Sequence, residues 1–367
     1  MSHVSRREFL GWSRFVVTGA VGAHLAVRPG RAVAQPLTKV KFTLPWVPEG
    51  SNLYAFVARN KGFWKKRGLN VDIARGYGSG AAVQALAAGQ FDFAEAATSA
   101  AIMQSTKGLP LTCIGQLTYK STMGVCVPAD SLIHAPKDLE GKVVGTVPTS
   151  GEYPFFPVFA KNAGVDEKKI KFFQTTPEVR YRSLISKQFD AITGFAISVI
   201  PALVSQNFPV RCMLYGNYGM NILELSLVAP NKTVNEDPEL CQAVLDGALE
   251  AIAFTYMNPA ESVDIFLAEV KEAGLTPTGR EYTRLGLGIF MYSGLVEDVR
   301  QNGLGWVDPA KVAELNDLVA TYLAAKDAPK LDVTLLYTNR FAGKLKLTPE
   351  QWADAMKRRE EFTKFFA

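Results

Sequence analysis

Residues 76–95 read GYGSGAAVQALAAGQFDFAE. A glycine-rich turn follows the apolar run LNVDIA, opens a helix of small residues, and leads through Gln90-Phe91-Asp92 into a short strand ending in acids. Strand, turn, helix and strand in this order is the unit from which parallel sheets are built. Gly76-Tyr77-Gly78-Ser79-Gly80-Ala81 also fits G-x-G-x-x-A, the dinucleotide fingerprint, with Asp92 and Glu95 following. Three features count against a dinucleotide. The turn follows the second strand rather than the first, the N-terminus has the form of an export signal, and no histidine or Tyr-x-x-x-Lys pair is placed for hydride transfer. The same local physics suits another ligand, because glycines allow close backbone approach and N–H groups at a helix start attract an anionic or polar group. A purely structural turn is the remaining alternative.

Outward from this stretch the chain alternates strand and helix. KVKFTLPW reads as a strand, NLYAFVARNKGFWKKR as a helix with Leu53, Phe56, Val57, Phe63 and Trp64 on its apolar side, and LNVDIA as a second strand. FDFAEA, a helix from Thr98 and Ser99, and the strand LTCIGQL complete the first series. MGVCVPAD, PKDLEGKVVGTV, KIKFFQT, FDAITGF and VRCMLY form a second series, with helices at 153–162, 177–187 and SVIPALVSQ. LELSLVAP reads as a return strand, and residues 238–325 are nearly all helical. Thr176-Pro177-Glu178 and Thr348-Pro349-Glu350-Gln351 are helix starts with a capping threonine and a first-turn proline. The fold class expected is α/β, with doubly wound, mostly parallel sheets. AAGQFDFAEAAT and ISKQFDAITGFA echo one another, as two similar lobes joined by two hinge strands would, with a cleft between them.

The bulk properties narrow the function. The 367 residues, 48% hydrophobic and 20% charged, suit a globular protein of two domains, and no run of 18 apolar residues stands outside the first forty. Arg6-Arg7, the weakly hydrophobic run Phe15 to Val27 and Ala32-Val33-Ala34 have the three parts of a signal peptide, twin-arginine in type, with cleavage expected after Ala34. A basic tail or signal anchor is the alternative. Without residues 1–34 the chain carries 35 basic and 34 acidic residues, so no basic patch argues for nucleic acid. Of His3, His24 and His134 only the last would remain, in a loop-like setting, which excludes H-E-x-x-H zinc chemistry and weakens any histidine-based triad. Cys113, Cys126, Cys212 and Cys241 have no C-x-x-C spacing; they read as scattered buried thiols, although an oxidising compartment permits a disulfide. No cofactor and no metal is expected.

Five motifs in order then carry a family likeness. Trp46-Val47-Pro48-Glu49 follows the first strand, and GFWKKRGLNV closes the first helix. Gly89-Gln90-Phe91-Asp92-Phe93, Asp138-Leu139-Glu140-Gly141-Lys142-Val143-Val144-Gly145 and Phe189-Asp190-Ala191-Ile192-Thr193-Gly194-Phe195 follow. Together, over residues 38–265, they resemble the periplasmic solute receptors of ABC importers for nitrate, sulfonates, taurine and thiamine-precursor pyrimidines. The resemblance implies a two-lobed binding protein of type II without catalysis, closing on a small solute and handing it to an inner-membrane permease. It implies a signal at 1–34, lobe 1 at 35–125 and 222–367 with the C-terminal helices, lobe 2 at 126–221, and a soluble periplasmic monomer.

Carried onto the cleft-facing turns, the likeness implies a ligand site of Trp46, Glu49, Asn52, Gly78, Ser79, Thr98, Ser99, Ser150, Gly151, Tyr153 and Phe195, with Glu224 from the return strand. Trp46 would stack a flat ligand, hydroxyls would orient it, and Glu49 or Glu224 would accept from an amino group. Acids and aromatics, with no cation in these turns besides Arg75 or Arg180, favour a pyrimidine-like solute, then a sulfonate or nitrate. A related synthase of the thiamine pyrimidine shares the fold, but its cysteine-rich motif and active-site histidine have no counterpart here. That enzyme and a dinucleotide oxidoreductase are the alternatives.

Overall fold

The computed structural model describes residues 36–220, 222–325, 328 and 331–366. The expected signal peptide and its cleavage after Ala34 lie outside the described residues.

Strands β1 (Thr38–Thr43), β2 (Leu69–Ala74), β3 (Phe93–Ala97) and β4 (Leu111–Gln116) belong to one sheet, and α1 (Leu53–Asn60), α2 (Ser79–Ala87) and α3 (Thr98–Ser105) connect them. The chain then crosses to a second sheet of β5 (Met123–Pro128), β6 (Val143–Thr146), β7 (Lys171–Gln174), β8 (Ala191–Phe195) and β9 (Val210–Leu214), with α4 (Phe156–Asn162), α5 (Pro177–Ile185) and α6 (Ala196–Val204). It returns in β10 (Leu225–Pro230), which enters the first sheet. The sheet orders are β2-β1-β3-β10-β4 and β7-β6-β8-β5-β9. In each, three strands pair in parallel, and the strand arriving from the other lobe inserts antiparallel next to the third. The two lobes therefore have one topology.

The C-terminal part is helical: α7 (Asn231–Glu236), α8 (Pro238–Met257), α9 (Pro259–Glu269), α10 (Lys271–Leu275), α11 (Gly279–Gly294), α12 (Glu297–Asn302), α13 (Pro309–Tyr322) and α14 (Pro349–Arg359). By length and composition α8 is apolar enough to cross a membrane. It is instead a core helix of lobe 1, where Val244, Leu245, Ala248 and Ile252 are buried and Trp64 Nε1 donates to the Val244 carbonyl at 2.9 Å. Burial against other helices satisfies the same apolar face that lipid would. The Thr348 cap forms as expected, with Thr348 Oγ1 accepting from Gln351 N–H and Gln351 Oε1 from Thr348 N–H. Thr176 does not cap α5 with its side chain; Pro177 alone marks that start.

One expectation is corrected. Cys126 and Cys212 are not free thiols but form a disulfide, because β5 and β9 pair in antiparallel register with these two residues opposite one another. Across 86 residues of sequence nothing marks that register. Cys113 and Cys241 are buried free thiols.

The lobes are joined by the segments between β4 and β5 and between β9 and β10, which are tied together. Leu117 and Thr118 N–H both donate to the Leu225 carbonyl, and Thr118 Oγ1 accepts from Leu225 N–H at 2.8 Å. Glu224, fully buried, accepts from Thr122 N–H at 2.7 Å and Thr122 Oγ1 at 2.8 Å.

Candidate functional site

The turns after β1, β2, β6 and β8 meet where the lobes face each other, as the C-terminal ends of strands do in open α/β sheets. At this seam a narrow, partly open gap of about 30 Å³ is lined by Trp46, Glu49, Ser51 and Ser79 of lobe 1 and by Ser150, Arg180, Phe195 and Ser198 of lobe 2. That is room for water but not for an organic solute, so the lobes stand close together at this point. A wider recess of about 720 Å³ opens beside it at the same seam, bordered by Val47, Arg75, Tyr181, Gln206 and Tyr282.

The glycine turn is part of this closure. Gly76, Gly78 and Gly80 N–H donate to the carbonyls of Trp46, Pro45 and Thr149 at 2.8, 2.8 and 3.0 Å, and Thr149 Oγ1 donates to the Tyr77 carbonyl. A Cβ on Gly78 would stand 2.2 Å from the Thr149 carbonyl oxygen, and its φ of +116° is a glycine conformation. The turn brings two backbones together across the lobes. Three of its amides are thereby committed to protein carbonyls rather than exposed as a phosphate cradle.

Glu49 is the centre of the lobe 1 face. Asn52 shapes its turn, accepting from Glu49 N–H at 2.9 Å and donating to the Val47 carbonyl at 3.1 Å. Glu49 Oε1 accepts from Ser51 Oγ at 2.7 Å and, across the seam, from Ser198 Oγ at 2.6 Å. Its Oε2 accepts from Tyr282 Oη of α11 at 3.0 Å. Burial pushes its pKa up, against the pull of these hydroxyls and of Arg180. Behind it, Glu95 on β3 is fully buried and pushed up to about 8 by burial; Tyr54 Oη donates to its Oε2 at 2.8 Å, and the charge of Glu49 raises it further.

Arg180 is the centre of the lobe 2 face. Its Nη1 donates to the Thr193 carbonyl at 3.0 Å and its Nη2 to Tyr181 Oη at 2.7 Å, while Nη1 stands 4.0 Å from Glu152 Oε1. The guanidinium lies 4.8 Å from the Trp46 ring centroid, a cation–π contact between the lobes. Arg180 is 1% exposed, and among the described residues its Nε has no partner. A buried donor on a charged group left unpaired costs about 1–3 kcal/mol or more. Glu152 accepts from Ser150 and Thr193; burial raises its pKa and Arg180 draws it down.

Of the twelve residues named from sequence, Trp46, Glu49, Ser79, Ser150 and Phe195 line the gap. Gly78 and Gly151 stand at the seam, the latter with its Cβ position 3.1–3.3 Å from Ala97, Phe195 and Ser79. Thr98 donates toward Gln116, Ser226 and the Glu224 carbonyl, and Ser99 is a buried hydroxyl without a partner among the described residues. Tyr153 is half-buried against Phe172, away from the gap, and Glu224 belongs to the crossover between the lobes. Ser51, Ser198 and Tyr282 were not named. Ser198 lies one turn past Phe195 at the same helix start, a signal within reach, whereas Tyr282 arrives from a helix 233 residues downstream of Glu49.

Residues 51–262 match the family model described as NMT1/THI5 like, more than half of the chain. The chain belongs to that family. Among curated relatives, the formylaminopyrimidine-binding protein of Halalkalibacterium halodurans is 24% identical over 259 residues, 70% of this chain and 78% of that one. The 4-amino-5-hydroxymethyl-2-methylpyrimidine phosphate synthase of Legionella pneumophila is 22% identical over 250 residues, 67% of this chain and 78% of that one. Among solved structures, the alkanesulfonate-binding protein SsuA of Xanthomonas axonopodis pv. citri superposes with a TM-score of 0.63 at 14% identity, covering 82% of this chain and 98% of that one. The NMT1/THI5-like chain thus has the two-lobed periplasmic binding protein fold, with two mixed sheets.

Proposed function

We propose that the protein is the extracytoplasmic solute receptor of an ABC importer, taking a small, flat, amino-bearing heteroaromatic solute in the seam between its lobes. The observation that carries this reading is the lining of the inter-lobe gap, where a buried carboxylate from one lobe and a buried guanidinium from the other meet beside Trp46. Glu49 is suited to accept from an amino group, and the hydroxyl of Ser79, whose oxygen accepts from Ala97 N–H, to donate its proton to a ring nitrogen. The formylaminopyrimidine-binding relative supports a pyrimidine-like ligand. A sulfonate is the second reading, favoured by the buried Arg180 guanidinium. On this reading the chain works in the periplasm as a monomer, exported by the twin-arginine route, delivers its solute to a permease, and catalyses nothing. The synthase among its relatives is the enzyme-class alternative.

A thermal-shift panel tests the proposal. The protein is unfolded with its disulfide intact, refolded to strip captured ligand, and assayed with aminopyrimidines, sulfonates, nitrate and nicotinamide cofactors. At a hundredfold excess over its Kd a true ligand adds about 2.7 kcal/mol, several degrees in Tm. A shift with aminopyrimidines is expected; a shift with nicotinamide cofactors alone would overturn the reading.

A further inference from the structure

Helix α11 has two working faces. On one, Tyr282 bonds to Glu49 and the backbone lies against the turn that carries it: a Cβ on Gly50 would stand 2.0 Å from the Thr283 carbonyl oxygen, and one on Gly286 3.0 Å from Gly50 Cα. On the other, Arg280, Arg284, Leu287, Gly288 and Met291 recur at helical spacing and line a cavity of about 300 Å³, which residues of α9, α14 and the short helix Glu360–Phe365 complete. This cavity shares no lining residue with the gap or the recess at the seam.

Its size and its lining are those of a small-molecule site. Val263, Leu287, Met291 and Phe362 are buried side chains that still border open space. Phe362 reaches α11 because residue 288 is glycine, where a Cβ would stand 2.1 Å from the ring. The charged groups of the lining are three guanidiniums, on Arg280, Arg284 and Arg358, and one carboxylate, on Glu361. Arg284 is fully committed: Nη1 donates to Glu361 at 2.8 Å, and Nε and Nη2 donate to Glu281 at 2.8 and 2.9 Å. Arg280 and Arg358 are not. Arg280 donates to Asp264 through Nη2 alone, and Arg358 to Asp354 through Nε and Nη2. Neither of those acids lines the cavity, and among the described residues Nε and Nη1 of Arg280 and Nη1 of Arg358 have no hydrogen-bond partner. Two guanidiniums with donors to spare therefore border an apolar floor, against one carboxylate that Arg284 already holds.

We infer that this cavity is a second ligand site, for a small carboxylic acid with an apolar body: a ring or short chain packs on Val263, Leu287, Met291 and Phe362, while the carboxylate takes the spare N–H groups of Arg280 and Arg358. The planar guanidinium fork matches a carboxylate in geometry as well as charge. The inference does not depend on what the seam binds, although α11 serves both places.

Titration calorimetry on the full chain tests it with 4-phenylbutyrate and its neutral counterpart 4-phenylbutyramide. The acid is expected to bind ten-fold or more tightly than the amide. Ala260→Trp places a bulky ring in the cavity from an exposed position on α9, and is expected to weaken the acid ten-fold or more. Arg280→Gln with Arg358→Gln leaves only exposed acids without their partners, and should bring acid and amide within about two-fold of each other. Trp46→Ala, at the seam, should leave the affinity for 4-phenylbutyrate as it was. No binding of the acid at millimolar concentration, equal binding of acid and amide by the unmodified protein, or a loss in Trp46→Ala with none in Ala260→Trp would overturn the inference. None of these outcomes touches the receptor reading, which stands or falls on the solutes of the seam.

Discussion

Two turns occupy the same place in the two lobes and have been put to different uses. Glu49 stands six residues beyond Thr43, the last residue of β1, and Glu152 six beyond Thr146, the last of β6, and each is buried at the seam. Glu152 stays within its own lobe, bonded by Ser150 and Thr193 and facing the cation Arg180. Glu49 reaches across to Ser198, and the ionisable neighbour behind it is another acid, Glu95. In one lobe the buried carboxylate is compensated by the protein itself. In the other it is held by hydroxyls of both lobes, with a second buried acid behind it and the pull of Arg180 reaching it from the opposite lobe. The duplicated topology supplied two equivalent positions, one acid bonded within its own lobe and the other bonded across the seam, the one proposed to meet the solute.

The largest effect that would break this contrast concerns Glu152. Glu152→Ala leaves Arg180 as an uncompensated buried charge and is expected to cost about 3–5 kcal/mol of stability, read from urea unfolding. A loss below about 1 kcal/mol would mean that Arg180 does not need Glu152, and the two turns would no longer differ in kind.

The next concerns the acid behind Glu49. A carboxyl raised from 4.5 to about 8 contributes stability that is fully present below its unfolded value and is lost as the pH rises through its folded one. Stability should therefore fall between about pH 4.5 and 8. Glu95→Gln removes that share, making the variant more stable than the original by roughly 2–4 kcal/mol at pH 9 and nearly equal to it at pH 4. Glu224, also raised to about 8 by burial, keeps its own share of the slope in the variant. Parallel stability curves for the two proteins would show that the folded state does not hold Glu95 protonated, and the second buried acid of lobe 1 would not set it apart from lobe 2 in this way.

The smallest effect sharpens the functional side. Glu49→Gln retains an acceptor for the neighbouring hydroxyls, so stability should change by less than about 1 kcal/mol, while affinity for an amino-bearing solute falls by about 2 kcal/mol, some thirty-fold. A drop in stability with unchanged affinity would reverse the roles assigned to the two glutamates.

Much of this was legible in the chain, for local reasons. Alternating apolar runs and glycine turns located the ten strands of the described residues, and the Gln-Phe-Asp echo reflects a real equivalence, since Asp92 and Asp190 carboxylates accept from Lys41 and Val143 N–H in the two lobes. The turn residues Trp46, Glu49, Ser79, Ser150 and Phe195 sit at strand ends, where the α/β pattern puts a cleft, and they line it. Asn52 and Thr98 sit at similar ends but their polar groups are spent on the protein's own backbone and side chains, which strand-end position alone does not distinguish.

Sequence by itself determined the period-two and period-3.6 burial patterns, and through them the two α/β lobes and the turns that face each other, because these depend on neighbours a few residues apart. Tertiary structure decided what each polar group meets. The Cys126–Cys212 register, the reach of Tyr282 to Glu49, the stacking of Arg180 on Trp46 and the use of the glycine turn as a seam all join residues dozens to hundreds of positions apart. Hydrogen bonds and charge interactions act over a few ångströms in space and leave no periodic trace along the chain.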